Sequence, residues 1–164
     1  MVSSRIESVH VVMAWRFGAV GAESVMAVVS DASLFTAWIV AVPPVGHIDP
    51  KWPYVGAVVR KATDREPHGR HSYDRHLTIA VVETWDPPHE VVLRLRSGLG
   101  GWIRLSVRVQ PRPGGCLVEV RSDPLTVSAR LRYAGSARSH AEERCAAVAE
   151  NLLRLATDLE ADSG

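Results

Sequence analysis

The C-terminal segment SARSHAEERCAAVAENLLRLATDLE, residues 136–160, predicts a long helix, and the rest of the predicted fold is arranged around it. Its apolar residues recur at alternating intervals of four and three, so they form one stripe along a helix. At 1.5 Å per residue the helix is roughly 35 Å long, and Ser136 or Ser139 can cap its first turn. A stripe of this length needs an equally long apolar surface to pack on. The stripe consists of Ala141, Cys145, Val148, Leu152, Leu155 and Leu159.

The segments before this helix alternate between apolar and polar residues, as strands with one buried face do. The alternation is clearest in Val91–Arg96, Trp102–Gln110 and Cys116–Arg121, which short Gly- and Pro-containing turns separate. Such hairpins predict an antiparallel meander with one dry face. Ser72–Trp85 is a further predicted strand, and so is Tyr54–Lys61. The sequence does not decide which face of Tyr54–Lys61 points inward. The dry face of the meander is the candidate partner for the C-terminal helix.

The N-terminal part predicts a strand at Ile6–Phe17 and then two short helices. Met13, Trp15 and Phe17 share one parity of that strand, so we expect them on its buried face. The helices are predicted at Ala22–Ser30 and Ala32–Ile39, with Asp31 as the cap of the second helix. Val40–Pro53 is predicted as a loop because of its prolines. For Thr126–Tyr133 the sequence allows either a strand or the beginning of a helix.

Composition excludes several classes of protein. The chain has 164 residues, of which 46% are hydrophobic and 23% charged, and its net charge is +1. These values are ordinary for one globular domain, so residues 1–164 are predicted to form a single domain. The low net charge gives no general attraction to nucleic acid. We see no signal peptide and no apolar run near the roughly 18 residues of a membrane span, so a cytoplasmic protein is expected.

The order of elements is one strand, two short helices, a proline-rich loop, about six strands and one long helix. This order resembles the helix-grip fold of the START and polyketide cyclase/dehydrase superfamily, also called SRPBCC. The resemblance implies an α+β fold with a curved antiparallel sheet of about six or seven strands around the C-terminal helix. The segments that carry the resemblance are Ala22–Val25, Val29–Asp31, Phe35–Trp38, Trp52–Gly56, Val82–Pro88 and Asn151–Ala156.

The resemblance also implies a cavity between the sheet and the helix, lined by apolar and aromatic side chains. Members of the superfamily include lipid carriers, hormone receptors, coenzyme-Q-binding proteins, aromatase/cyclases and co-chaperone domains, so the fold does not fix a function. For each aromatic candidate the alternative is a place in the core or at its rim, and the outward parity of Trp102 makes it the weakest. The candidate ligand-binding residues are Trp38, Trp52, Tyr54, Tyr73, Trp85, Leu93, Leu105, Val148 and Leu152.

Acid–base chemistry has weak candidates in Tyr73, Glu83 and His76, beside which Asp49 and Asp74 could also titrate. Glu83 shares the parity of apolar neighbours, yet burial of an unpaired carboxylate is costly. Glu83 is therefore paired with an arginine, displaced outward by a β-bulge, or functional. Pairing or displacement is the favoured interpretation.

Metal binding is not predicted. His68 and His71 stand three residues apart in a predicted loop, but a zinc site needs three or four rigidly held ligands. Neither Cys116 nor Cys145 lies near them in sequence, and we expect two reduced core thiols. No metal and no cofactor are expected.

The expected function is binding or carriage of a hydrophobic small molecule, such as a lipid, a polyketide or an isoprenoid. One alternative is a polyketide cyclase/aromatase-like enzyme, in which Tyr73, Glu83 or His76 moves protons. Another is an interaction domain of the co-chaperone kind, which would use its surface and keep a filled core. The expected partner is the small-molecule ligand, and an exposed edge strand leaves a homodimer open.

Overall fold

The computed structural model describes residues 10–62, 78–97 and 101–164. Seven antiparallel strands form one curved sheet in the order β1-β7-β6-β5-β4-β3-β2, so β1 and β2 are its edges. The long helix α4 packs across the inner face, where it contacts β1 and β7. The predicted α+β class and helix-grip order are therefore confirmed. The strands are β1 (Val12–Gly18), β2 (Val45–Ile48), β3 (Val58–Lys61), β4 (Thr78–Asp86), β5 (Glu90–Ser97), β6 (Gly101–Arg112) and β7 (Gly115–Pro124). The helices are α1 (Ala22–Ser30), α2 (Phe35–Trp38), α3 (Val127–Tyr133) and α4 (Ala137–Asp162).

The alternation in β5, β6 and β7 is confirmed, because their apolar parity lies on the inner face and is buried. On α4 the first four residues of the stripe are buried, but Leu155 is half-buried and Leu159 is 37% exposed. The buried side continues through Leu153 and Ala156 instead. A straight helix drifts by about 20° per heptad from a strict seven-residue repeat. The far end of the predicted stripe therefore turns towards solvent.

The predicted orientation of β1 is wrong. Val12 and Ala14 are buried on the inner face, whereas Met13, Trp15 and Phe17 lie on the outer face. The reason is the close approach of α4 to this strand, since a side chain at Gly18 would collide with Leu153. At this point no side chain fits between β1 and the helix, and the large apolar residues of the strand lie on the face that points away from α4. The predicted start of this strand, residues 6–9, lies outside the described residues.

The segment around the prolines also differs from its prediction. Val40–Pro53 contains a short strand, β2, which pairs with β3, so it is not entirely a loop. The predicted strand Tyr54–Lys61 narrows to Val58–Lys61, with Val59 as its buried residue. In β2 the four residues include Gly46 and His47 and stand among prolines, so the strand carries little of the alternation that identifies one in a sequence. The predicted turn at residues 63–69 lies outside the described residues.

The local caps explain where the short helices begin. Asp31 accepts a hydrogen bond from the backbone N–H of Ser33 at 3.0 Å, as expected for the cap of the second helix. That helix is a 3-10 turn, Ala32–Leu34, followed by the single α-helical turn α2. The open segment Thr126–Tyr133 forms helix α3, in which the Thr126 hydroxyl accepts from the backbone N–H of Ala129 at 3.4 Å. Ser136 occupies the N-cap position of α4, but its side chain makes no capping hydrogen bond.

Candidate functional site

Five of the candidate ligand-binding residues lie in the layer between the sheet and α4. Each has an exposed fraction of 0%, and all belong to one continuous hydrophobic core. A side chain that lined a ligand-sized hollow would keep some surface open to a water-sized molecule, and these keep none. The layer is therefore close-packed at these positions. The five residues are Trp38, Leu93, Leu105, Val148 and Leu152.

Phe35 holds two of the candidate tryptophans by edge-to-face contacts, with ring centroids 5.5 Å from Trp38 and 5.3 Å from Trp52. The indole Nε1 of Trp52 donates to the Val29 carbonyl at 2.9 Å, and the Asn151 side chain donates to the Trp38 carbonyl at 3.4 Å. These contacts fasten α2 and the loop after it to α1 and α4. Among the described residues, the buried Nε1 of Trp38 has no hydrogen-bond partner.

The other candidates do not join this group. Tyr54 is 65% exposed, and Trp85 borders a separate cavity of about 280 Å³ between α1 and the β4–β5 turn. Asp49 accepts a hydrogen bond from the Lys51 backbone at 2.9 Å and so holds a loop. The remaining candidates, Tyr73, Asp74 and His76, lie outside the described residues.

The inner face carries one buried polar pair at the end near α3. The hydroxyls of Ser122 and Tyr133 are 2.6 Å apart, and both residues are buried. Burial raises the pKa of Tyr133 above its ordinary value, against the opposing effect of the Ser122 hydrogen bond. Burial likewise raises the pKa of the Cys145 thiol to about 11. A thiol in this state is a core residue and a poor nucleophile.

Glu83 lies on the outer face, where a register shift in β4 between Val82 and Thr84 displaces it. Its carboxylate accepts a hydrogen bond from Arg104 Nε at 2.8 Å, and Arg94 Nε lies 3.7 Å from the other oxygen. Both favoured interpretations, pairing and outward displacement, are confirmed. Both oxygens of this carboxylate face guanidinium groups, which makes it a poor candidate for a general base.

A larger cleft, with a volume of about 670 Å³, opens on the outer face at the end of the sheet near α3. At its centre, the guanidinium carbons of Arg94 and Arg96 lie 5.7 and 5.3 Å from the centroid of the Trp102 ring. Both distances are within the range of cation–π attraction. The described residues that line the cleft are Thr78, Val81, Arg94, Arg96, Trp102, Leu125 and Thr126.

Backbone pairing holds the cleft in shape. Arg96 and Trp102 are directly opposite each other in the β5–β6 hairpin, which brings indole and guanidinium together. The segment after β7 closes one side, because Leu125 donates from its backbone to the Trp102 carbonyl at 2.8 Å. The Trp102 backbone N–H in turn donates to the Thr126 hydroxyl at 3.2 Å. The cleft is therefore built on strands and a cap rather than on a free loop.

Electrostatics favour an anion in this cleft. Arg94, Arg96 and Arg104 contribute three positive charges, whereas Glu83 and Asp123, which lies directly opposite Arg104 in the β6–β7 pairing, contribute two negative charges, so these five side chains sum to +1. Val81, Leu125 and the Trp102 ring give an apolar floor beside these charges. The arrangement suits a molecule with an apolar body and an acidic group.

The described part of the chain contains neither a cluster of metal-ligating side chains nor a helix suited to span a membrane. Among residues 10–62, 78–97 and 101–164, no three metal-ligating side chains lie close enough together to share an ion. His68, His71 and His76 are outside these ranges. Within the same ranges, no helix combines the length and apolar character of a transmembrane span.

Three solved structures resemble this chain at low sequence identity. Protein MLL2253 from Mesorhizobium loti is 16% identical with a TM-score of 0.60, covering 88% of this chain and 95% of that chain. StfQ, the di-domain ARO/CYC from the steffimycin biosynthetic pathway, is 17% identical with a TM-score of 0.57, covering 89% of this chain and 48% of StfQ. The Aha1 dimer from Colwellia psychrerythraea is 11% identical with a TM-score of 0.55, covering 87% of this chain and 92% of that chain. The protein shares the fold of these structures, which is the helix-grip fold.

Comparison by sequence adds no further relative. No protein-family model matches this helix-grip chain, and no curated protein matches it either.

Within the helix-grip fold, the cleft lies on the opposite face of the sheet from the layer that the resemblance indicated. Trp102 lies on the outer face, as its parity predicts, although that same parity made it the weakest candidate for a pocket under α4. The signal that could have found the cleft is the shared parity of Arg94 and Arg96 in one strand and Trp102 in the next. A short hairpin between them brings such residues side by side.

Proposed function

We propose that this protein binds a hydrophobic small molecule that carries an acidic group, in the cleft around Trp102. The observation that carries the proposal is a cleft of about 670 Å³ in which two guanidinium groups flank one indole ring. Small-molecule sites have volumes of about 300–1,000 Å³ and combine apolar walls with a few oriented polar groups. The cleft has the size and the mixture of side chains of such a site.

Each wall has a separate part in binding. The Trp102 ring, Val81 and Leu125 would cover the apolar body, since burial of apolar area gives about 25 cal/mol per Å² before the costs of association. Arg94 and Arg96 would hold a carboxylate or a similar anion, because guanidinium groups form paired, charge-assisted hydrogen bonds. The hydroxyl of Thr78 would orient the ligand.

The layer between the sheet and α4 is the second candidate location for a hydrophobic ligand. One observation favours it, which is the buried Nε1 of Trp38, a donor with no partner among the described residues. A ligand there would have to separate side chains such as Leu105 and Leu152, which are fully buried. The resulting loss of core packing makes this location the less favoured one.

Binding without catalysis is the favoured form of the proposal. The enzyme alternative needs a titratable group that is free to move a proton near the ligand. Glu83 is the candidate that lies beside the cleft, and its carboxylate is already paired with Arg104 and Arg94. The cleft therefore supports a carrier or sensor of an acidic metabolite better than a cyclase.

The test uses two fluorescent probes of similar size, the anionic 1-anilinonaphthalene-8-sulfonate and the neutral N-phenyl-1-naphthylamine. In the double variant Arg94→Gln/Arg96→Gln we expect about tenfold weaker binding of the anionic probe, since charged hydrogen bonds contribute about 1.5–3 kcal/mol. Binding of the neutral probe should change less than about twofold. The matched control is Arg108→Gln, on the same face but paired with Glu90 at 3.3 Å, which should leave both probes unaffected.

The variant Trp102→Leu separates the two locations. It should weaken both probes if the indole forms the floor of the site. Unchanged binding of both probes in Trp102→Leu, together with altered binding in Leu152→Ala, would contradict the outer site and favour the layer under α4.

A further inference from the structure

We propose that β1 pairs with β1 of a second copy of the chain, in a two-fold antiparallel arrangement that continues one sheet through a homodimer. The proposed dimer does not involve the ligand site, which lies where β5 ends and β6 begins. It concerns a surface that the cleft does not use. Its basis is the composition and geometry of the exposed strand β1 itself.

The outer face of β1 exposes three large apolar side chains. Met13 is 43% exposed, Trp15 60% and Phe17 55%, and all three share one parity of the strand. Single exposed apolar residues are normal on a protein surface, but a contiguous apolar row usually marks an interaction surface. Among the described residues the sheet gives β1 only one neighbour, β7, so its other edge can accept a strand.

A two-fold axis at Trp15 makes this strand complementary to itself. In that register Trp15 stands opposite Trp15 of the partner subunit, and Met13 stands opposite the partner's Phe17. The whole outer row is then apolar against apolar, with an aromatic pair at its centre. On the inner face Val12 stands opposite the partner's Gly18, so no bulky pair collides. Closed two-fold contacts of this isologous kind are the commonest in homo-oligomers.

Charges also fit this register. Arg16 forms an ion pair with Glu150 of its own α4 at 3.2 Å, and it would stand opposite the small side chain of the partner's Ala14. Like charges are therefore not placed directly opposite each other. Arg16 Nη1 also donates to the Trp15 carbonyl at 2.9 Å. In the dimer a backbone N–H of the partner replaces this donor, which exchanges one hydrogen bond for another.

The expected dimer is weak because the area is small. An aromatic side chain buries about 150–250 Å² when it is fully covered, and Met13, Trp15 and Phe17 are about half exposed, so the row contributes at most roughly 300 Å² per subunit. Even with the strand edges added, the interface falls at the low end, below about 1,200 Å² in total. We therefore expect a dissociation constant on the order of micromolar, and a monomer–dimer equilibrium that depends on concentration.

Sedimentation velocity of the full chain between about 1 and 500 µM tests the proposal. We expect the wild-type protein to shift from monomer to dimer across this range. Trp15→Glu should stay monomeric with an unchanged circular dichroism spectrum. The matched control is Leu131→Glu, which places the same charge at an apolar residue that is 71% exposed on α3, and it should dimerise like the wild type.

Cysteine cross-linking tests the register separately from the affinity. Trp15→Cys should form a disulfide-linked dimer on mild oxidation, since the two-fold axis places the two thiols opposite each other. The native Cys116 and Cys145 are buried and should not react. Leu131→Cys, the control, should not cross-link at the same rate.

Several outcomes would overturn the proposal. A wild-type protein that is monomeric at every concentration would mean that this row is free, or is covered by another part of its own chain. A dimer that survives Trp15→Glu would place the interface elsewhere. A monomer whose exposed row binds phospholipid vesicles, and loses that binding in Trp15→Glu, would identify a membrane surface as the occupant instead.

Discussion

The two faces of the sheet differ in what they do with the same alternating sequence. On the inner face, strand residues such as Leu93 and Leu105 belong to one hydrophobic core with residues of α4 and are excluded from water. On the outer face, the intervening residues form ion pairs such as Arg104–Glu83 and surround the indole of Trp102. The inner face thus stabilises the fold, and the outer face presents the chemistry that can recognise another molecule.

The largest effect on the free energy of unfolding should come from truncation of a buried side chain on the inner face. Leu152→Ala removes a fully buried side chain of α4 and should lower the free energy of unfolding by about 3–5 kcal/mol. Leu159→Ala, on the same helix but 37% exposed, should lower it by less than about 1 kcal/mol. Urea denaturation of both variants measures the difference. Equal losses would mean that the layer under α4 is not the packed core described above.

Alkaline pH should weaken the inner face through Cys145. Burial raises the pKa of its thiol from 9.0 to about 11 in the folded protein, so the folded state holds this proton more tightly than the unfolded state. This contribution is complete below about pH 9 and is lost as the pH rises towards 11, to an extent of about 2–3 kcal/mol.

The variant Cys145→Ala isolates this contribution. Its free energy of unfolding should fall less between pH 9 and 11 than that of the wild type, whatever its stability at neutral pH. Denaturation curves collected across this range for both proteins provide the measurement. Parallel pH dependence in the two proteins would show that the thiol is more solvated than its burial indicates.

The buried hydroxyl pair on the inner face should have a smaller effect. Tyr133→Phe leaves the Ser122 hydroxyl buried without its partner at 2.6 Å and should lower stability by about 1–3 kcal/mol. The double variant Tyr133→Phe/Ser122→Ala removes both hydroxyls and should recover part of this loss. A double-mutant cycle measures the coupling, and strictly additive losses would argue against the hydrogen bond.

The outer face should respond in binding rather than in stability. Glu83→Gln breaks partly exposed ion pairs, so the free energy of unfolding should change by less than about 1 kcal/mol. The net charge of the cluster rises, and the anionic probe should bind about twofold to fivefold more tightly. Titration at low and high salt checks the electrostatic origin. Weaker anion binding in this variant would contradict the assigned role of the arginines.

Sequence patterns predicted the elements that repeat their signal over many residues. The alternation of β6 and the stripe of α4 each extend far enough to define a buried face. In β1 the same parity argument failed, because the packing of Leu153 over Gly18 selects small inner residues, and shape of this kind is not visible in hydrophobicity. The filled layer under α4 could not be predicted for the same reason, since apolar residues line a hollow and fill a core equally well.

The most direct test of the account is a nuclear magnetic resonance titration of the five tryptophan indole N–H signals with 1-anilinonaphthalene-8-sulfonate. The account predicts that the Trp102 signal moves with the probe while those of the buried Trp38 and Trp52 stay in place. Movement of the Trp38 signal with an unchanged Trp102 signal would contradict it and would place the ligand between the sheet and α4.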